Sequence, residues 1–96
     1  MAITQEQIDK AIEMAKEYGA TRLLLFGSAL TDPENANDLD LAVDGLEGLD
    51  FFIYGGKLES IINASVDIVT LTPENRFIRH IKRVGKFIYD TTNAAN

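Results

Sequence analysis

Residues 22–43 read RLLLFGSALTDPENANDLDLAV, which is two apolar segments separated by a polar region. The first segment, residues 22–26, is short and almost wholly apolar, as is typical of a buried strand. The second, residues 38–43, alternates acidic and apolar side chains with the period of two expected of a strand. Residues 31–37 between them are rich in turn-forming residues. We therefore predict two neighbouring strands that run antiparallel.

The rest of the chain alternates predicted helices and strands. A capping box at Thr4 and Gln7 begins the first helix, and Gly19 is placed to end it. Further along the chain we predict a helix over residues 50–63, a strand over 66–71, a helix begun at Thr72-Pro73 and ended by Gly85, and a short strand over 87–89. This alternation predicts an α/β (α+β) layer structure with helices packed on a small sheet.

Apolar spacing indicates which side of two predicted helices faces the core. In the helix over residues 50–63 that side carries Phe51, Tyr54, Leu58, Ile61 and Ile62. In the last helix it carries Phe77, Ile78, Ile81 and Val84. Phe51 and Phe52 are interpreted as core residues rather than as stacking partners for a nucleobase, with a position of one of them facing the nucleotide as the alternative.

Composition limits the classes of function. The 96 residues fit a single domain, 1–96, with frayed ends at 1–3 and 91–96. No cysteine is present, which excludes disulfides and thiolate metal sites. No long apolar run or signal-like N-terminus is seen, so we expect a cytoplasmic protein without a membrane span. The net charge of −6 disfavours nucleic acid as a partner.

Asp38 and Asp40 are two residues apart on a predicted strand, so both carboxylates point to the same face. Paired carboxylates repel one another unless a cation neutralises them. Oxygen ligands arranged in this way suit Mg²⁺, which uses one or two carboxylates together with substrate phosphates. Taken singly, each residue also fits a turn or a solvent-facing strand position.

Asp67 lies within a third apolar strand, between Val66 and Ile68. The predicted helix over residues 50–63 is a suitable crossover, which would make the second and third strands parallel and align their N-terminal ends. Asp67 would then lie beside Asp38 and Asp40. Three convergent carboxylates can hold two metal ions for in-line phosphoryl or nucleotidyl transfer. A surface position on an edge strand is the alternative for Asp67.

Gly27 and Ser28 follow the first strand directly. If the first two strands are antiparallel, this turn lies next to Asp38. Glycine permits close approach of the backbone to a phosphate, and N–H groups at a helix start, with the serine hydroxyl, can bind phosphate oxygens. An ordinary strand-to-helix turn capped by Ser28 is the alternative. Neither G-x-x-x-x-G-K-[ST] nor G-x-G-x-x-G occurs in the chain.

The string Leu-Leu-Phe-Gly-Ser, nine further residues, Asp-Leu-Asp-Leu and a later Val-Asp-Ile-Val resembles the minimal nucleotidyltransferase family. That family belongs to the superfamily of DNA polymerase β and kanamycin nucleotidyltransferase. The resemblance implies a small mixed sheet in α-β-α-β-α-β order. It also implies that Gly27 and Ser28 bind the triphosphate of ATP or another NTP, and that Asp38, Asp40 and Asp67 are catalytic ligands of two Mg²⁺ ions, with Asp67 as the base.

The chain departs from the family pattern after the Gly-Ser pair. The family often has Arg-Ala-Arg-Gly there, whereas residues 29–32 are Ala-Leu-Thr-Asp, and Asn37 replaces a common serine. Two cations that would help to hold phosphate are therefore missing.

Small members of the family often pair with a helical HEPN protein as the antitoxin of a toxin–antitoxin module, and some transfer AMP to a tyrosine of that partner. The resemblance implies an NMP transferase of this kind for the present chain. A degenerate domain that neutralises its partner by binding alone, or a plain α/β domain, are the alternatives. Arg76, Arg79 and Arg83 indicate either a phosphate- or partner-binding face or a solvated helix side, and His80 is expected to be exposed.

Overall fold

The computed structural model describes residues 2–93, within which helices and strands alternate. They are α1 Gln5–Glu17, β1 Arg22–Phe26, α2 Ser28–Thr31, β2 Asp38–Asp44, α3 Leu49–Ile62, β3 Ser65–Thr70, α4 Arg76–Val84, β4 Lys86–Asp90 and a 3₁₀ turn, Thr91–Asn93. The predicted α/β class is confirmed, and α4 and β4 extend the α-β-α-β-α-β series. None of the helices in residues 2–93 combines the length and apolar character needed to cross a membrane.

The strands form one sheet in the order β3-β2-β1-β4. β1 runs antiparallel to both β2 and β4, whereas β2 runs parallel to β3. A parallel pair needs a crossover connection, and α3 provides it between β2 and β3. The predicted antiparallel and parallel pairings are therefore both confirmed, and they determine where the acidic residues meet.

The two faces of the sheet are covered to different extents. One face packs against α1 and α3 in the larger core, which includes Leu23, Leu39, Leu41, Tyr54 and Leu58. On the other face, Leu24 and Ala42 pack under Ile78 and Ile81 of α4. Because α4 has only nine residues, it covers part of this second face and leaves room beside it.

The N-terminal helix is fixed at both its start and its middle. The capping box predicted at Thr4 and Gln7 is present. The fully buried Tyr54 of α3 donates its hydroxyl to the Ala11 carbonyl at 2.9 Å and so joins the two helices. Burial raises the pKa of Tyr54, which keeps the hydroxyl protonated as a donor.

A Tyr54→Phe variant is expected to lose about 1 kcal/mol of stability, because it removes a buried hydrogen bond without removing the ring. For a domain of this size that loss lowers Tm by about 4–8 °C, which calorimetry would detect. Tyr18→Phe removes the same atom from a half-buried ring that packs edge-on to Tyr54, with centroids 6.1 Å apart. An equal loss in both variants would show that the hydroxyl of Tyr54 has no special role.

The last helix begins later than predicted. The sequence placed its start at Thr72-Pro73, but α4 begins at Arg76 with Asn75 as the N-cap. The Asn75 side chain accepts a hydrogen bond from the Ile78 N–H at 2.8 Å. Asparagine is among the strongest N-cap residues because its side chain satisfies a free N–H of the first turn. The cap therefore determines the start of this helix, and Gly85 ends it as predicted.

Four residues predicted to lie in the core are instead exposed. They are Phe52, Ile61, Phe77 and Val84, with exposed fractions of 72%, 55%, 49% and 51%. Ile61 lies beyond the strip of α3 that meets the sheet. In α4, Ile78 and Ile81 occupy the buried positions, and Phe77 and Val84 are left about half exposed.

The ends of the described region contact neighbouring segments, and the predicted fraying of residues 1–3 and 91–96 stays a prediction. Ile3 is buried, and its N–H donates to the Pro33 carbonyl at 2.9 Å. Thr91 donates its N–H to the Thr21 carbonyl at 2.8 Å. These hydrogen bonds attach both ends to neighbouring segments. Residues 1 and 94–96 lie outside the described residues.

Candidate active site

The three acidic residues singled out in the sequence lie together at one end of β2 and β3. Asp40 is the register partner of Asp67 across the parallel pair, and Asp38 is the partner of Ser65. Because side chains alternate along a strand, Asp38 and Asp40 share the face of Ala42, which packs under α4. Asp67 shares that face by the same alternation. The structure thus brings together all three predicted carboxylates.

Asp40 occupies the centre of this cluster. It is half-buried, whereas Asp38 and Asp67 are exposed. Burial raises the pKa of the Asp40 carboxyl, and the negative charges of Asp67 and Asp38 raise it further, as does a hydrogen bond with the Asp67 side chain. No Lys or Arg of residues 2–93 is among the causes of this pKa shift, so the described residues leave the negative charge of the cluster without a cationic partner at Asp40.

An Asp40→Asn variant is expected to be more stable than the wild type at neutral pH, by a margin that shrinks as the pH falls. The pKa of Asp40 in the folded protein lies above that in the unfolded chain, about 3.9. The folded state thus binds the proton more tightly. The stability that the folded state gains from binding this proton is fully present below the unfolded pKa and is lost as the pH rises through the folded pKa.

Calorimetry of both proteins over a pH series, in buffer without divalent cations, would measure this margin. A difference in Tm that does not change with pH would contradict the assignment.

Gly27 touches the acidic cluster directly. Its φ of 74° and ψ of −160° place it in a backbone region that is essentially restricted to glycine. A Cβ atom at this position would overlap the Asp40 carboxylate oxygen Oδ2. The turn therefore lies beside the paired aspartates, as predicted. Both its backbone conformation and its contact with Asp40 require glycine at position 27.

Ser28 begins α2, immediately after Gly27, and is exposed at the same edge of the sheet. The residues at the positions of the family's usual cations, Ala29 and Thr31, have structural roles. Ala29 is buried, and the Thr31 hydroxyl donates to the Gly27 carbonyl at 3.4 Å. Asp32 accepts hydrogen bonds from the Asn35 side chain at 3.0 and 3.2 Å, which close the following turn. This segment is thus built into the fold and supplies no positive charge to the site.

An aromatic pair that the sequence patterns did not predict lies beside Asp40. Phe26 is the register partner of Asp40 on β1. Phe77 packs edge-to-face on Phe26, with ring centroids 6.0 Å apart. The register of Phe26 follows from the antiparallel pairing and could have been anticipated, whereas the contact with Phe77 depends on the path of the chain after β3.

The basic residues singled out on α4 lie on its exposed surface. Arg76, Arg79 and Arg83 are exposed, and so is His80, as expected. The Arg83 guanidinium lies 3.4 Å from Nδ1 of His80. None of these groups is among the causes of the pKa shift at Asp40. Their predicted role as a phosphate- or partner-binding face stays a prediction.

The carboxylates fit a hard divalent cation in kind and charge. As they stand, no three His, Cys, Asp or Glu side chains within residues 2–93 are close enough to hold a metal ion. Mg²⁺ commonly takes only one or two carboxylates and completes its shell with substrate phosphates and water. Burial and the nearby charges of Asp67 and Asp38 all disfavour the ionised form of Asp40, and a cation beside it would offset the effect of those charges. The donor set therefore suits a metal that arrives with a nucleotide.

A comparison of sequence families assigns the chain to a class. The profile of the family described as Polymerase beta, Nucleotidyltransferase matches residues 6–94. The chain therefore belongs to the polymerase β-type nucleotidyltransferase family, as its motifs indicated. A search of curated proteins gives no significant match.

Solved structures share the fold. A toxin–antitoxin complex with AMP-PNP aligns with a TM-score of 0.72 at 23% identity, covering 96% of this chain and 77% of that chain. A tri-AMPylated HEPN toxin in complex with MNT antitoxin from Shewanella oneidensis aligns with a TM-score of 0.71 at 23% identity, covering 95% and 76%. A structure named as a minimal nucleotidyltransferase aligns with a TM-score of 0.69 at 28% identity, covering 84% and 88%. The expected nucleotidyltransferase fold is thus confirmed.

Proposed function

We propose that the protein is a Mg²⁺-dependent nucleotidyltransferase that moves NMP, specifically AMP from ATP, to a hydroxyl group on a HEPN-type helical partner. It would act in the cytoplasm as the antitoxin of a toxin–antitoxin pair. The observation that carries the proposal is the placement of Asp38, Asp40 and Asp67 on one face of two parallel strands, beside Gly27. The nucleotide and the partner are supported by the structural relatives with AMP-PNP and with an AMPylated HEPN toxin.

The chain's own residues have distinct roles in this reaction. Asp38, Asp40 and Asp67 would hold two Mg²⁺ ions, which when bound neutralise charge on the transferred phosphate. Gly27 lets the backbone approach the triphosphate closely, and Ser28 adds a hydroxyl at the start of α2. Asp67 lies at the exposed side of the cluster, where it can accept the proton of the acceptor hydroxyl.

The isolated chain leaves this site open. Asp38 and Asp67 are exposed, and α4 covers only the part of the face that holds Ala42. An open site lets water compete as the acceptor and weakens electrostatic interactions by solvation. A partner that covers the carboxylates would both bring the hydroxyl and exclude water. This arrangement agrees with an acceptor that is a protein rather than a small molecule.

Binding without chemistry is the second candidate, and one observation favours it. The two positions that usually carry cations hold Ala29, which is buried, and Thr31, and the following Asp32 adds negative charge. A triphosphate would thus have fewer charged contacts than in the usual family pattern. The domain would then neutralise a HEPN partner by contact alone.

Incubation with α-labelled ATP, Mg²⁺ and a co-expressed HEPN partner separates the two candidates. Transfer of label to the partner, abolished by EDTA, is expected for the enzyme. Neutralisation of the partner without label transfer and without thermal stabilisation by Mg²⁺ and ATP would instead establish the binding function, since specific ligands raise stability by mass action.

A further inference from the structure

The phosphate turn, Gly27 and Ser28, is not followed by cations. The two positions that carry them in the usual family pattern hold Ala29 and Thr31, and the next residue is Asp32. In phosphoryl-transfer sites, lysine or arginine side chains hold the phosphates together with the metal ions. Such cations would have to come from another element of this fold.

The register of the sheet indicates on which side of the site they are needed. Asp67, Asp40 and Phe26 are successive register partners on β3, β2 and β1, so they lie in one row across the sheet. Neighbouring strands in such a row are about 4.8 Å apart. In phosphoryl transfer the attacking and leaving oxygens lie roughly in line, on opposite sides of the phosphorus. With the acceptor hydroxyl at Asp67, the pyrophosphate therefore leaves towards Phe26 and Gly27 at the end of β1.

A pocket of about 450 Å³ opens on that side of the site, between α2 and α4. Gly27, Ser28 and Thr31 contribute to its wall from the side of α2. His80 contributes to it from the side of α4. The pocket is thus continuous with the phosphate turn, and α4 is the second helix that faces it.

The C-terminal part of α4 is held closely against the end of β1. A Cβ atom at Gly85 would lie 2.8 Å from the Leu25 carbonyl oxygen and 3.2 Å from Cβ of Phe26. Glycine at this position therefore permits the close approach, which brings the last two turns of α4 beside the start of the phosphate turn. His80 and Arg83 belong to these two turns.

His80 and Arg83 form a pair at this pocket. The Arg83 guanidinium lies 3.4 Å from Nδ1 of His80. A guanidinium has no acceptor atom, so Nδ1 must accept, and the proton of the neutral imidazole is then on Nε2. Both side chains are exposed, and no carboxylate of residues 2–93 forms an ion pair with Arg83, whereas Lys82 is paired with Glu74 at 3.5 Å. The pair therefore offers a cation and an N–H donor beside the phosphate turn.

We propose that His80 and Arg83 bind the pyrophosphate part of ATP and replace the cations that the phosphate turn lacks. Hydrogen bonds from a guanidinium to phosphate oxygens are charge-assisted and are among the stronger ones in proteins. The proposal separates Arg83 from Arg76 and Arg79 and gives His80 a function. It rests on the proposed function and adds to it the residues that hold the leaving group.

Negative charge develops on the leaving group during the transfer step. The acceptor oxygen forms a bond to the α-phosphorus, and the bond from that phosphorus to the oxygen that bridges to the β-phosphate breaks. Pyrophosphate leaves with the electron pair, and the acceptor proton passes to the Asp67 carboxylate. A cation fixed beside the pyrophosphate therefore stabilises the transition state more than it stabilises bound ATP.

Calorimetric titration of the full chain with pyrophosphate and, separately, with AMP, both in the presence of Mg²⁺, tests the proposal. Arg83→Ala is expected to bind pyrophosphate about tenfold more weakly, because it loses charge-assisted contacts, and to bind AMP like the wild type. His80→Ala should weaken pyrophosphate binding about threefold, as expected for the loss of an uncharged hydrogen bond. Arg83→Lys keeps the charge and should recover most of the affinity.

Arg76→Ala is the matched control, because it removes the same side chain from the same helix about 10 Å from Arg83. It should bind pyrophosphate like the wild type. Equal losses in Arg76→Ala and Arg83→Ala would reveal a general effect of charge and would overturn the proposal. Equal losses for AMP and pyrophosphate in Arg83→Ala, or no binding of millimolar pyrophosphate by the wild type, would also overturn it.

Label transfer distinguishes a failure of this proposal from a failure of the proposed function. With α-labelled ATP and a co-expressed HEPN partner, Arg83→Ala should transfer label about tenfold more slowly, with a raised KM for ATP. Transfer at the wild-type rate in this variant would refute the role of Arg83 and leave the proposed function standing. Pyrophosphate binding that depends on Arg83, without label transfer by the wild type, would refute the proposed function and leave the pyrophosphate site standing.

Discussion

An Asp40→Asn variant is expected to fold normally and to transfer AMP about a thousandfold more slowly than the wild type, or worse. Asp40 is the central carboxylate, between Asp67 on the next strand and Phe26 on the other side. Asparagine keeps the shape of the side chain but lacks the negative charge that binds the metal ion needed for phosphoryl transfer. Label transfer from α-labelled ATP to a co-expressed HEPN partner, measured as an initial rate, gives the comparison.

Asp44→Asn is the matched control, because it makes the same chemical change at the other end of the same strand. Asp44 pairs with Arg22 at 3.0 Å and is not part of the acidic cluster. Loss of this partly exposed ion pair should cost at most about 1 kcal/mol and leave the transfer rate unchanged. Full transfer activity in Asp40→Asn would show that the carboxylates do not form the catalytic centre.

A Gly27→Ala variant is expected to lose most of its transfer activity and to be destabilised by about 1–3 kcal/mol. The new Cβ would overlap Asp40 Oδ2, so either the carboxylate or the turn must move. The backbone at φ 74° adds strain for any residue with a side chain. Both activity and Tm should therefore fall, and binding of Mg²⁺ and ATP, followed by calorimetric titration, should weaken with them.

Gly19→Ala separates the two causes. Gly19 has a similar φ of 88°, but a Cβ there would meet nothing within 4 Å. The Gly19→Ala variant should therefore have a lower Tm, because of the strain at a positive φ, and should retain the transfer rate. If Gly19→Ala and Gly27→Ala lost stability alike and neither lost activity, the contact between Gly27 and Asp40 would have no functional role.

The convergence of the acidic residues could be predicted because it depends on local patterns. Alternation along residues 38–43 orients Asp38 and Asp40 together, and a helical crossover makes β2 and β3 parallel, which brings Asp67 alongside. These inferences need only the period of each segment and the length of its connection. They hold without knowledge of how helices pack on the sheet.

The features that escaped prediction depend on tertiary packing. Periodicity places Phe77 and Val84 near the buried side of α4, but it does not say that Ile78 and Ile81 are the buried residues of this helix. Nor could it show that Phe52 leaves the core.

The alternation of core and site residues along β2 limits where this chain can tolerate insertions and deletions. Leu39 and Leu41 point into the larger core, while Asp38 and Asp40 point to the opposite face. Inserting or deleting one residue at the start of this strand would exchange the two sets of side chains. The carboxylates would then be buried in the core, and the site would lose them. Homologues should therefore vary in the length of residues 31–37 while keeping the Asp-Leu-Asp-Leu segment free of gaps.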